Sequence, residues 1–173
     1  MNTQNYTASL AVDQTPDQVF AAITNPRGWW SGQIEGRTDQ LGAEFKYHYR
    51  DVHRARFKIT EFVPGKKVVW HVVETYFDFV EDKTEWTGTD VVFEIGKQGN
   101  QTELRFTHVG LVPAYQCYNV CSDAWGTYVK GSLRDLITTR KGQPNPIEGI
   151  VARAREMALL DQTHAARMRS VGQ

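Results

Sequence analysis

Leu104-Arg105-Phe106-Thr107-His108-Val109-Gly110-Leu111-Val112-Pro113 decides the fold. Leu104, Phe106 and His108 share one parity, the mark of a strand with one face turned inward. After Pro113 the apolar spacing becomes helical. Tyr118, Cys121, Trp125, Tyr128, Val129, Leu133, Leu136 and Ile137 fall close to one face of a helix of about seven turns. A strand that runs into a long one-sided helix is a pairing in which a small α+β domain can close over an internal pocket.

Reading on from that helix, Arg140-Lys141 suits the negative end of the helix dipole, and Gly142 is placed to take the left-handed cap before Pro144. Gly126 and Gly131 lie inside the helix, where each costs up to about 1 kcal/mol relative to Ala. They either allow close approach of the sheet or a ligand, or bend the helix. Beyond Pro146, Ile147, Ile150, Val151, Ala154, Met157, Ala158, Ala165 and Met168 make an apolar stripe between arginines. This reads as an amphipathic helix appended to the domain, docking on it or on a second copy. The expected division is a domain over 1–143 and a helical extension over 144–173. The stripe, mostly alanine and methionine, lacks the aromatic anchors of a membrane-surface helix.

Reading back from the same strand gives the sheet. Tyr6 to Val12 alternates, and Thr15-Pro16-Asp17-Gln18 supplies an N-cap, a Pro at N1 and a Gln at N3 for a short helix ending at Asn25-Pro26. Arg27 to Gly42, with Trp29 and Trp30, reads as a further helical turn and a connecting strand. Phe45, Tyr47 and Tyr49 then share one face, and Asp51 to Arg54 is expected to reverse the chain. Phe57 and Ile59 continue the pattern until Val63-Pro64-Gly65-Lys66, whose Pro-Gly pair favours a type II turn. Lys67 to Val73 is a strand with Val68, Trp70 and Val72 on one face. Thr75 to Thr87 reads as an acidic connection, and Val91, Phe93 and Ile95 define the next strand. The short connections make the sheet antiparallel.

Lys plus Arg and Asp plus Glu total 20 each, so there is no global field to attract nucleic acid or an anionic membrane. The N-terminus lacks the charged and apolar regions of a signal peptide, and no apolar run approaches the length of a membrane span. These features point to a cytoplasmic protein that does not insert into membranes. Cys117 and Cys121 stand four apart on the helix, where side-chain directions make a disulfide awkward, and read as reduced thiols.

Thr15-Pro16-Asp17-Gln18-Val19-Phe20 with Trp29-Trp30, Glu61-Phe62-Val63-Pro64-Gly65-Lys66 with Trp70, Leu104 to His108, and Trp125 with Leu133 follow one another in an order that resembles the START-like (SRPBCC) superfamily. Within it, the chain is similar to the branch related to the C-terminal domain of the Hsp90 ATPase activator. The resemblance covers about residues 6 to 142. It implies a helix-grip fold, a curved antiparallel sheet wrapped around a long C-terminal helix, with two short helices after strand one. It also implies a mainly apolar cavity between sheet and helix that takes lipids, sterols, polyketides or other small molecules. The residues that would line it are Phe45, Tyr47, Tyr49, Phe57, Trp70, Phe93, Phe106 and His108 from the sheet, and Tyr118, Cys121, Trp125 and Tyr128 from the helix.

His108 is the best single polar candidate inside such a cavity, able to hydrogen-bond a ligand in its neutral form; the alternative is a histidine bonded to backbone at the strand end. Glu61 follows Phe57 and Ile59 in register and is a candidate base if buried, although a local pairing with Arg54 or Arg56 is the plainer reading. Cys117, Cys121 and His108 lack the supporting spacing of a zinc site. No metal or cofactor is expected. Asp13, Asp17, Glu81, Asp82 and Glu85 read as solvated turn residues. No Ser-His-Asp order, phosphate loop or His-Glu-x-x-His pattern occurs. The expected function is therefore binding of a small hydrophobic, aromatic or lipid-like ligand by a monomer or homodimer. The alternatives are a cyclase or hydrolase-like enzyme in the same cavity, or a chaperone-accessory interaction module.

Overall fold

Antiparallel strands β1 (Tyr6–Val12), β2 (Ile34–Gly36), β3 (Glu44–Tyr49), β4 (His53–Val63), β5 (Lys67–Phe77), β6 (Asp90–Gln98) and β7 (Gln101–Val109) form one sheet in the order β1-β7-β6-β5-β4-β3-β2. The computed structural model describes residues 4–49 and 51–144. The appended helix expected after Pro146, and with it the division of the chain at 144, lies outside those residues. Five neighbouring strand pairs run in chain order, and β1 closes against β7 with Leu10 opposite Leu104 and Tyr6 opposite His108. The first strand thus lies beside the strand that leads into the helix.

Between β1 and β2, α1 (Pro16–Ile23) and α2 (Pro26–Trp29) carry two tryptophans inward. α1 starts at a complete capping box: Thr15 Oγ1 accepts the Gln18 N–H at 3.2 Å, and Gln18 Oε1 accepts the Thr15 N–H at 2.9 Å. Two amides that a helix start leaves unpaired are satisfied in this way. At the β4–β5 turn Gly65 has φ +73°, and the Lys66 N–H bonds Val63 O at 2.9 Å, as the Pro-Gly pair requires.

β5 runs four residues past its expected end at Val73, so the connection to β6 begins only after Phe77. At the other end of the same hairpin, His53 and Arg54 belong to β4 rather than to the preceding turn. The register slips twice: between Arg56 and Phe57 it passes over Val73 of β5, and between Ile59 and Glu61 it passes over Thr60, which places a bulge in β4 just before Glu61. A bulge adds one residue to one strand and resets which side chains face inward. Glu61 consequently points out, where it pairs with Lys67 at 2.9 Å, and not inward as a simple alternation implied. Phe62 instead packs edge-on to Phe20 of α1 at 5.0 Å.

The C-terminal helix is α3 (Tyr118–Thr127), a π-helical run (Tyr128–Leu133) and α4 (Arg134–Thr139), about a turn shorter than the periodicity implied. The two internal glycines divide the roles considered for them. A Cβ on Gly126 would come within 3.2 Å of Tyr6 Oη, so that glycine serves close approach to the sheet. Gly131 has open space around it and lies in the π-helical run, where the winding changes. Ser132 in that run donates to Trp29 O and accepts the Gln143 N–H, each at 2.7 Å, fixing the helix to α2 and to the tail that follows it. Because the helix stops at Thr139, the left-handed residue is Arg140 and not Gly142. Gly142 is needed for another reason: a Cβ there would collide with the carbonyl oxygens of Gly28 and Ser132.

Aromatic rings fill most of the space between sheet and helix. Trp70 meets Phe93 at 4.8 Å and Phe45 at 5.1 Å, Phe45 stacks on Phe57 at 5.0 Å, and Phe106 reaches Trp125 at 4.9 Å. Trp29 and Trp30 close the middle by stacking near Trp70. Rings of this size each bury on the order of 200 Å², and at about 25 cal/mol per Å² each contributes several kcal/mol to the core.

Candidate functional site

Where β5 gives way to the 78–89 loop, the packing opens. A recess of about 40 Å³ lies between the ends of β4 and β5, that loop, and the first turns of α3. Its floor is made by the buried side chains of Trp30, His53, Phe77, Trp86, Trp125, Cys121 and Tyr128. Half-exposed Phe79, Val120 and Ala124 form a rim. Ligand sites for drug-sized molecules run from about 300 Å³ upward. The enclosed part therefore holds only the end of a molecule, with the remainder at the rim.

The floor is aromatic and ordered by edge-to-face geometry. His53 stacks on Phe77 at 4.3 Å and meets Trp86 at 5.0 Å with its ring perpendicular. Trp86 lies parallel to Trp125 at 5.7 Å. Burial drives the His53 pKa down to about 3, so the imidazole is neutral at physiological pH. Among the described residues neither His53 Nε2 nor Trp86 Nε1 has a hydrogen-bond partner, and the same holds for Tyr47 Oη, which sits behind His53 with ring centroids 5.0 Å apart.

His108 is employed differently. Trp125 Nε1 donates to His108 Nδ1 at 3.1 Å, which fixes Nδ1 as the acceptor and leaves the proton on Nε2. Nε2 then donates to Thr89 Oγ1 at 2.8 Å, and Thr89 Oγ1 donates to Trp86 O at 2.5 Å. Both ring nitrogens are satisfied within the protein, by side chains and not by strand-end backbone. Burial lowers this pKa also to about 3. The chain of bonds holds the loop residue Trp86 in place in the floor of the recess.

α3 begins without a capping side chain of its own. Glu85 supplies the cap from the loop: Oε1 accepts the Gln116 N–H at 2.6 Å and Oε2 the Cys117 N–H at 3.0 Å. A carboxylate at a helix N-terminus also meets the positive end of the dipole. Glu85 is buried and clasps the loop to the helix; it is not the solvated turn residue its acidic neighbours suggested. Asp82 N–H adds a bond to Gln116 Oε1 at 3.0 Å. The hydrogen bond that the Cys117 S–H donates to Cys121, and then burial, raise the Cys117 thiol pKa far above its usual value, so the group stays protonated.

Of the residues expected to line a cavity, the structure brings Cys121, Trp125 and Tyr128 to the recess. Phe45, Phe57, Trp70, Phe93 and Phe106 lie in the packed core described above, with His108 buried beside Trp86 and Trp125. Tyr47 backs His53, Tyr49 is buried further along β3, and Tyr118 is half-buried at the start of α3, outside the lining. His53, Phe77, Phe79 and Trp86 were missed because the segments that carry them read as a turn and an acidic connection. The available signal was the aromatic content of that stretch, Tyr76, Phe77, Phe79 and Trp86 among acidic residues.

Residues 13–138 match the family described as Activator of Hsp90 ATPase homolog 1-like protein. The chain belongs to that family. This Hsp90-activator-like chain has the helix-grip fold of the START-like superfamily, as its motif order implied. It is similar to the Aha1 dimer from Colwellia psychrerythraea, at 25% identity over 78% of this chain and 96% of that one, with a TM-score of 0.62. Protein MLL2253 from Mesorhizobium loti shares the fold at 13% identity and a TM-score of 0.60, over 81% of this chain and all of that one. CalU16 from Micromonospora echinospora shares it at 14% identity and 0.53, over 89% and 85%. No curated protein matches the chain. No helix among the described residues is long and apolar enough to cross a membrane.

Proposed function

We propose that this member of the Hsp90-activator-like family binds a small, largely apolar molecule at the recess between the 78–89 loop and α3. The observation that carries this reading is the recess itself, a break in an otherwise filled core with an aromatic floor and a half-exposed rim. Its lining is poor in charge, so burial of apolar ligand surface supplies the affinity. The small-molecule cavities that the START-like resemblance implies lie between sheet and long helix, and this recess lies where the ends of β4 and β5 face the start of α3. The narrow enclosed volume favours an occupant inserted by one end, with Phe79 and Val120 against its body.

Native and denaturing mass spectra of freshly purified protein test this directly. A discrete adduct lost on unfolding, or a rise in Tm with apolar ring compounds that Phe79→Asp abolishes at the rim, is the expected result. A clean mass, and no shift from any such compound, would discard the binding function.

A further inference from the structure

The two edges of the sheet are finished differently. At the β2 edge the His48 N–H bonds Gln33 O, so by alternation the carbonyls of Ile34 and Gly36 point away from β3. Arg27 fills both: Nε donates to Ile34 O at 3.1 Å and Nη2 to Gly36 O at 2.6 Å. That edge is also only three residues long and carries Glu35. Shortness, charge and covered acceptors are means by which a sheet edge is kept from pairing with another chain.

β1 has none of these. It is seven residues in continuous register with β7, Tyr6-Thr7-Ala8-Ser9-Leu10-Ala11-Val12, with no charge, proline or bulge. The Tyr6 N–H bonds Leu111 O on the β7 side, so by the same alternation the N–H and C=O groups of Thr7, Ser9 and Ala11 point to the open edge. No other described strand lies there, and Thr7 and Ser9 are exposed. We infer that this edge is an interface whose occupant is the β1 strand of a second copy, added antiparallel about a two-fold axis at Ser9.

The strand suits itself as a partner. Ser9 then faces Ser9 of the partner subunit and Thr7 faces Ala11 of the partner subunit, a register that makes about six hydrogen bonds between the chains. Small uncharged side chains meet on the outer face, so the repulsion of like charges across a strand pair is absent. The nearest charges on that face, Glu103 and Arg105 one strand in, lie 3.6 Å apart and pair with each other. A foreign peptide finds no charge along β1 by which to be selected, whereas a second copy needs none. One strand pair buries less than the roughly 800 Å² per partner of a standard interface, so the dimer is a weak one.

The test is sedimentation of the full chain from about 1 µM to about 1 mM, with backbone amide exchange measured at both ends of that range. The expected result is a mass that moves from one chain toward two, with exchange at the Ser9 and Ala11 amides slowed about tenfold or more at the high concentration. Ser9→Lys and Ser9→Glu should each stay monomeric, because two like charges would meet at the axis, and an equimolar mixture of the two should dimerise again. The Ser9 side chain is on the exposed face, so neither change reaches the core. A mass of one chain throughout, or a dimer whose Ser9 and Ala11 amides exchange freely, would overturn the proposal. Equal protection of those amides at every concentration would overturn it as well, and assign the edge to another part of the same chain. Mass and exchange on the unmodified protein decide the matter even where a variant does not fold.

Discussion

Trp125 Nε1 donates to His108 Nδ1 at 3.1 Å, joining the last helix to the last strand through one buried bond. It is the first step of a relay that ends at the Trp86 carbonyl, so helix, sheet and loop are held by a single line of donors and acceptors. The strand and helix that decide the fold are thus also the pair that positions the recess.

Trp125→Phe keeps an aromatic ring and removes the donor. His108 Nδ1 is then a buried acceptor with nothing to accept, and a loss of about 1–3 kcal/mol is expected in urea unfolding. Because the freed imidazole can take the other tautomer, Thr89→Val in the same background should add less than it does alone. A fully additive pair would show that the bonds do not act as one relay.

Acid should destabilise the protein through the buried histidines His53 and His108. In an unfolded chain each titrates near 6.5, but in the fold both pKa values lie at about 3. Between those limits the unfolded chain binds protons that the native state refuses. Their stabilisation is complete above pH 6.5 and is lost as pH falls toward 3, at up to about 1.4 kcal/mol per pH unit for each histidine. Denaturant titrations at pH 7, 6 and 5 should show this slope, and His53→Phe should remove about half of it. A slope that His53→Phe leaves unchanged would mean that carboxylates elsewhere dominate the acid limb.

The fold was legible because local and global signals agreed. Capping box, Pro-Gly turn, alternating strands and a one-sided helix are each written in adjacent residues, and each is seen. The site was legible in part, since Cys121, Trp125 and Tyr128 follow from helical periodicity. Glu61 was misplaced by a bulge, which shifts parity without leaving a mark in the residue types. Glu85 and Trp86 were hidden for a different reason: their roles depend on partners about 31 and 22 residues away, at Gln116 and His108. Nothing in the local pattern distinguishes a loop carboxylate that caps a distant helix from one that faces water.

Cys117 should be inert in the native state. Its sulfur is buried and its pKa is raised, first by the hydrogen bond its S–H donates to Cys121, so the nucleophilic thiolate is absent at ordinary pH. Iodoacetamide at pH 8 followed by peptide mass mapping should leave Cys117 unmodified, with full labelling once urea unfolds the chain. Rapid native labelling would show that the start of α3 opens far more often than its packing implies.

That opening is governed by Glu85, which makes it the residue to alter when asking how a molecule reaches the recess. Its two carboxylate oxygens are the cap of α3, and its own loop carries Phe79 of the rim and Trp86 of the floor. Removing the carboxylate frees two amides and unclasps loop from helix, while the relay through His108 still holds Trp86. Glu85→Ala should therefore cost about 1–3 kcal/mol and raise hydrogen exchange at the Gln116 and Cys117 amides well above that of the β6–β7 pair. If the recess admits ligand through this seam, association of an apolar ring compound should become faster in the variant while equilibrium affinity changes less. Exchange confined to global unfolding, with unchanged association, would place the entry route elsewhere.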